Sequence, residues 1–304
     1  MQTVEPTGDS NPSTSSGTSR AMQMLEEGIA TITDTESFKR YLAFTRAFHS
    51  YSANNVLLIF LQRPDASMVA GYKKWKKLGR QVRKGEKAIK ILAPIVRKET
   101  DEASGEELRR VVGFRDASVF AAEQTDSIDG APIPAPPMTG RVLGGEEAAQ
   151  ALYDLLSGIC ASESVEISER ELGPGHYGYH DPTRGSIVLS SELSRLRKAT
   201  TLCHELCHYF LHPLRTSLVL DTATKETEAE GASYAICSHF GIDTSAFSFP
   251  YVARHAEDPK TLQGVIDRIQ KVVHKVLEHV EMAEAAEEAE EVEEAGAADV
   301  EVVA

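Results

Sequence analysis

The sequence is short of the features that define several broad classes. Only four cysteines occur in 304 residues, too few for the disulfide framework of a secreted scaffold, so a reducing, cytoplasmic setting is expected. No apolar run approaches the ~18–20 residues that cross a bilayer, which argues against a membrane-spanning chain. Residues 1–20 are rich in Ser, Thr, Gly and Pro and lack the apolar stretch of a secretory signal; they read as a flexible leader. Tryptophan occurs once, and no internal repeat is visible. What is present in quantity is apolar residue, 41% of the chain, enough to build a core and to exclude wholesale disorder.

Taken as an average, the formal net charge of −14 argues against a nucleic-acid partner, but the charge is unevenly placed. From Phe38 to Lys98 there are fifteen Lys and Arg against two acids, Asp65 and Glu86. From Glu281 to Ala304 there are ten acidic residues and no basic one. One strongly basic module therefore sits in an otherwise acidic chain.

Periodicity divides the chain into two domains of α+β type. In the first, residues 21–125, a helical pattern runs from Glu36 with Thr35 as its cap, and Asn54–Leu61 is a second apolar segment. Ala88–Val96 and Arg110–Phe120 read as two strands of a hairpin. Residues 126–145 hold four prolines and four glycines and read as a linker. The second domain, 146–280, is mainly helical with a small sheet. It opens with a helix at Glu146–Leu156; Glu166–Ser168 and Gly185–Leu189 are short strands around a loop, 173–184. Helical patterns follow at about 191–212, 222–240 and 260–280, and residues 281–304 read as a disordered acidic tail.

The most specific motif is His204-Glu205-Leu206-Cys207-His208. On a helix, residues i and i+4 share a face, so both imidazoles can reach one ion, with Glu205 beside them as general base for a metal-activated water. Zinc is the expected ion. A third ligand is offered 18 residues after His208 by Glu226-Thr227-Glu228-Ala229-Glu230. This stretch fits the Glu-x-x-Ala-acid pattern of gluzincin-type metallopeptidases. Glu226 is the preferred ligand, because Glu230 then lies one turn on and can hydrogen-bond a ligating histidine; Glu228 is the alternative. Two surface histidines on an amphipathic helix would be the plain structural account. Cys203 and Cys207 lie on a different face and read as buried apolar residues rather than ligands. His176, His180 and His212 remain without an assigned role, the first two in a loop able to line a cleft.

In residues 71–90 nine Lys and Arg surround one Glu, and Tyr72 and Trp75 are interleaved with lysines. Cations follow a phosphate backbone and aromatic faces stack on unpaired bases, a combination suited to single-stranded DNA. The candidate contacts are Tyr72, Lys73, Lys74, Trp75, Lys76, Lys77, Arg80, Arg83, Lys84 and Lys87. Trp75 fits a core position as well as a stacking one.

Several of these stretches have a familiar form. Tyr51-Ser52-x-x-Asn55, Val69-Ala70-Gly71-Tyr72-x-x-Trp75 and the run from Gly79 to Lys87 closely resemble the N-terminal single-stranded-DNA-binding domain of ArdC-like antirestriction proteins. The segments around His204–His208 and Glu226–Glu230 resemble the zincin-like metallopeptidase domain of the ImmA/IrrE type. Phe240–Thr244 and Phe249–Ala253 are also similar to these two-domain proteins. One departure is visible: such proteins commonly read Asp-Val-x-Gln-Thr where this chain has Ala121-Ala122-Glu123-Gln124-Thr125. The resemblance implies single-stranded DNA binding joined to a zinc peptidase, in a role protecting mobile DNA from restriction. Two further functions stay open at this level. One is a non-catalytic DNA-coating protein that keeps the zincin fold as scaffold; the other is a regulatory protease that cuts a repressor.

Overall fold

Asp34 rather than Thr35 starts the first long helix, because its carboxylate accepts from the main-chain N–H groups of Glu36 (3.1 Å) and Ser37 (3.0 Å) while its own backbone is extended. This geometry comes from a computed structural model, which describes residues 20–29, 31–32, 34–100, 107–133, 145–244 and 259–301. Residues 1–19 of the expected leader and 134–144 of the expected linker lie outside the described residues, as do 249–253.

The first domain comprises α1 (Arg20–Ile29), α2 (Thr35–Thr45) and α3 (Ala53–Gln62). They are followed by β1 (Val69–Ala70), α4 (Tyr72–Lys77), β2 (Arg80–Val82), β3 (Ile89–Thr100), β4 (Glu107–Ala121) and β5 (Thr125–Ser127). β3 and β4 form the expected antiparallel hairpin, extending further toward its turn (to Thr100 and from Glu107) than the apolar runs suggested, and β1 adds to the far side of β4. The open edge of β3 is closed by side chains. The Asn55 amide donates to Leu92 O (2.9 Å) and accepts from Leu92 N (2.8 Å), and Gln62 does the same for Lys90, both at 2.9 Å. Two residues seven apart on α3 thus supply what a neighbouring strand would, and the outward main-chain groups of Lys90 and Leu92 are all paired.

Residues 126–131, expected in the linker, belong to this domain. β5 pairs antiparallel with β2 (Arg80 opposite Ser127), and the Arg80 guanidinium bonds Thr125 and the carbonyl of Ala131. The two residues that keep the pattern of the similar proteins both use their side chains in bonds, as does Glu123, which accepts from Ser67 N (3.0 Å). Gln124 accepts from Ala121 N and donates to Lys87 O, and the Thr125 hydroxyl accepts from Arg80.

The second domain contains α5 (Gly145–Ser162), β6 (Glu166–Arg170), β7 (Gly178–Asp181), β8 (Ser186–Ser190), α6 (Arg195–Leu211), the short α7 (Leu214–Ser217), α8 (Thr222–His239) and α9 (Pro259–Glu301). Sheet order is β6-β8-β7, with β6 parallel and β7 antiparallel to β8. The expected loop 173–184 therefore contains an edge strand. Gly178 allows that strand to reach α6: a Cβ there would lie 2.7 Å from Thr201 Cγ2 and 2.8 Å from Val188 O.

α9 runs through Glu301, so the residues expected as an acidic tail continue a helix. Its sequence beyond Glu281 is mostly Ala and Glu, among the best helix formers, and it extends a helix already nucleated by packing. The stripe from Leu262 to Val280 docks within the chain, and α9 contacts α1, α3, α5, α6 and α8. One buried apolar cluster spans both domains. Across their boundary the Arg46 guanidinium donates to Ser238 O (2.7 Å) and the Gln263 amide to Asn54 Oδ1 (3.0 Å). No helix among the described residues is long and apolar enough to cross a membrane.

Replacing Asn55 with Ala should cost about 1–3 kcal/mol, because it strips partners from two main-chain groups beneath α3. A urea midpoint unchanged from wild type would show that water covers β3 equally well.

Candidate metal centre and basic face

Ser194 caps α6 by accepting from Arg197 N, and the helix then buries Leu202, Cys203, Leu206 and Cys207 on one side. His204 and His208 fall on the adjoining side, facing β7 and α8. Asp221 caps α8 in the same manner (Thr224 N, 3.0 Å), and this start sets which of its acidic residues meets the histidines. Glu226 does: its carboxylate lies 3.4 Å from His204 Nε2 and 3.6 Å from His208 Nε2, and the two Nε2 atoms are 3.0 Å apart. One donor atom from each residue lies within 4.8 Å of the others. Two imidazole nitrogens and a carboxylate oxygen, partly buried and convergent, fit a divalent cation with a position left for water or substrate.

Glu228 is not in this group. Its carboxylate is fully buried and points away, to His212 Nε2 (3.1 Å) and the Arg268 guanidinium. Glu230 lies on the other flank, with Oε1 3.9 Å from His204 Nδ1, in contact but beyond hydrogen-bonding distance. Cys203 and Cys207 are buried free thiols packed behind the histidines.

Glu205 is buried beside the histidines, and burial pushes its carboxyl upward, although the main-chain N–H of His180 donates to it. Burial pulls His204 down, but the carboxylates of Glu226, Glu205 and Glu230 outweigh it and hold that imidazole at about 9. The imidazoles of His204 and His208 beside it hold Glu226 far below the usual carboxylate range. On one side of the centre a cleft of about 400 Å3 is lined by Tyr179, His180, His212 and Lys225. On the other, about 340 Å3 is lined by Tyr177, Arg197, Thr201 and Ser233. The edge strand β7 runs between them. Its His180 was the cleft residue that spacing alone could not place, since the strand carrying it interrupts a Gly- and Pro-rich stretch.

In the basic module the structure separates the candidates. Tyr72, Lys73, Lys74, Lys76, Lys77, Lys84 and Lys87 are exposed, with the Lys76 ammonium 5.6 Å from the Tyr72 ring centroid. Trp75 is fully buried among Ala70, Val82 and Ala122, and its indole N–H donates to Phe120 O (2.8 Å), so it cannot stack on a base. Arg80 is also buried, held by Thr125 and Ala131. Both are corrected to core roles: a six-residue helix with four lysines needs one large apolar side to hold it down. Arg83 is exposed but paired with Glu86 (2.8 Å) and Asp126 (3.3 Å).

Fold and site together define a two-domain α+β protein in which a basic domain is packed onto a domain of metallopeptidase type. Comparison with known proteins agrees. Residues 18–120 match the family described as the N-terminal domain of anti-restriction factor ArdC, and residues 160–263 match the IrrE N-terminal-like domain. The chain thus carries an ArdC-type N-terminal domain followed by an IrrE-type domain. An uncharacterized protein of Bacillus anthracis is 27% identical over 262 residues, covering 75% of this chain and 44% of that protein, so this chain spans about half its length. The Mn(II)-bound crystal structure of the antirestriction ArdC protein from the R388 plasmid is 18% identical, with a TM-score of 0.51 over 86% of this chain and 98% of that one. Its metal-free structure is 22% identical, with a TM-score of 0.48 over 75% and 85%. The likeness to the Mn(II)-bound structure is one of fold.

The charge pattern sets a pH dependence for the metal-free protein. His204 is raised above its unfolded value of 6.5, so its contribution is complete below that and lost as pH rises through about 9. Glu226 is depressed, so its contribution is present above 4.5 and lost on acidification. In chelator the melting temperature should therefore fall between pH 6.5 and 9.5, and the Glu226→Gln variant should flatten the fall. An equally steep fall in that variant would assign the effect elsewhere.

Proposed function

We propose that this chain is a single-stranded-DNA-binding zinc metallopeptidase of the antirestriction type. The observation that carries the reading is the meeting of His204, His208 and Glu226, from two helices, beside the buried carboxyl of Glu205 in a cleft along an edge strand. The nitrogen-rich donor set suits zinc, held at His204 Nε2, His208 Nε2 and a Glu226 carboxylate oxygen. Such an ion, when bound, acidifies a water and polarises a peptide carbonyl. Glu205 takes up the water's proton at its carboxylate and passes it to the leaving amine, and its burial tunes it for both steps. β7, pairing with β8 on one side only, offers its other edge to an extended peptide.

On the first domain the exposed lysines of α4 and of the Lys84–Lys87 turn bind the phosphate backbone, and Tyr72 replaces Trp75 as the stacking residue. The domain matches, and the named role of the similar antirestriction protein, support a part in protecting incoming DNA.

The Glu205→Gln variant should keep metal and DNA binding but lose cleavage of casein or of its own chain; cleavage that persists would remove Glu205 from the reaction. Tyr72→Ala should weaken single-stranded DNA binding by about 1–3 kcal/mol. Each phosphate-contacting lysine changed to Gln should lower the log–log salt slope by about 0.7. A slope unchanged after Lys73→Gln and Lys77→Gln together would move the DNA site off α4.

A further inference from the structure

His212, Glu228 and Arg268 have no part in the reaction above, yet they are bonded to one another and end on a ligand. We propose that they form a hydrogen-bonded relay that holds His208 in its ligating tautomer and anchors it to α9. The proposal rests on the metal-centre reading.

The proton positions follow from the neighbours. His208 Nε2 lies 3.0 Å from His204 Nε2 and, at 3.6 Å, beyond hydrogen-bonding distance of Glu226; with His204 donating across the shorter contact, the His208 lone pair is on Nε2 and its proton on Nδ1. That Nδ1–H donates to His212 Nδ1 at 3.0 Å. His212, accepting at Nδ1, carries its own proton on Nε2 and donates it to Glu228 Oε2 at 3.1 Å. Glu228 Oε1 accepts from Arg268 Nε at 2.8 Å and also from Nη2. Glu228 is fully buried and His212 nearly so. A buried carboxylate is tolerable only when paired, and here both its oxygens are.

A ligating histidine commonly donates its second N–H to a carboxylate, which fixes the ring and raises its basicity. In this chain a second imidazole is inserted between ligand and carboxylate. The i, i+4 spacing that presents His204 and His208 together is used once more, by His208 and His212, to bring the ligand's far nitrogen to its partner. The relay ends on α9, between two residues that hold the first domain. Gln263 bonds Asn54, and the Gln270 amide reaches the carbonyls of His49 and Tyr51 at 3.4 Å. The orientation of a metal ligand is thus referred to the helix on which the DNA-type domain is seated. His212, Glu228 and Arg268 are positioning residues that act through His208.

The test compares Zn2+ affinity, by competition with a chelating indicator, and apo-protein melting temperature in full-length His212→Phe, Glu228→Gln and Ile236→Val. His212→Phe should bind Zn2+ about 10–100-fold more weakly, and Glu228→Gln should show a smaller loss. The core variant Ile236→Val should lower the melting temperature and leave affinity unchanged. Wild-type affinity, within twofold, in His212→Phe would overturn the relay. Should that variant fail to fold, Glu228→Gln decides by the same threshold. A second measurement needs no metal: 15N NMR of the wild-type imidazoles in chelator should show the proton on Nδ1 of His208 and on Nε2 of His212, and the opposite tautomers would overturn the proposal. Those tautomers in a wild-type protein that binds no Zn2+ would sustain the relay and sink the metal-centre reading instead.

Discussion

The packing of α8 against α6 is the constraint on which the rest depends. A single helix can present two ligands one turn apart, but a third on that helix would have to sit on the same line of residues and could not close around an ion. The third donor must come from another element, held so that a carboxylate meets two imidazole nitrogens. Here Glu226 does so from α8, and its position follows from the buried surface the two helices share, built of small residues: Ser233 and Cys237 on one, Cys203 and Cys207 on the other. Small side chains let the helices approach closely. That accounts for the two cysteines beside the histidines without any metal-binding role.

α8 is in turn clamped from behind. Gly231 lies against Ile269 of α9 and Leu42 of α2, where a Cβ would sit 2.7 Å from the Ile269 Cδ1. The residue next to Glu230 thus touches both the C-terminal helix and the first domain. The two domains are distinct in sequence and charge, but the core is continuous through them. The first domain, placed this way, is part of the mould that shapes α6 and α8, and changes in its packing reach α8 through a single layer of side chains.

Much of this was legible in residue order. The histidine pair, the glutamate between them and the convergence of Glu226 rather than Glu228 on that pair were expected from helical spacing, because spacing on one helix is a local property. The β3–β4 hairpin and the stripe on α9 followed from periodicity for the same reason. Three matters were not. Trp75 and Arg80 sit within a run of lysines, and local pattern cannot say which side of a short helix faces the core; only the strands beneath it do. β7 is too short, and too rich in Gly and His, to read as a strand before β8 is there to pair with it. His212 and Glu228 acquire a role only when α6, α8 and α9 meet, since no spacing along one segment links residues 208, 212, 228 and 268.

The sequence by itself determined the number of domains, their α+β class, the basic and acidic partition and the three metal-ligand candidates, all of which depend on neighbours within one or two turns. The tertiary structure decided which cations face solvent, where the first domain ends, that the acidic C-terminal run continues a docked helix, and how the ligands are supported. These depend on contacts between residues far apart in the chain, where burial selects one face of each element and gives the other to water.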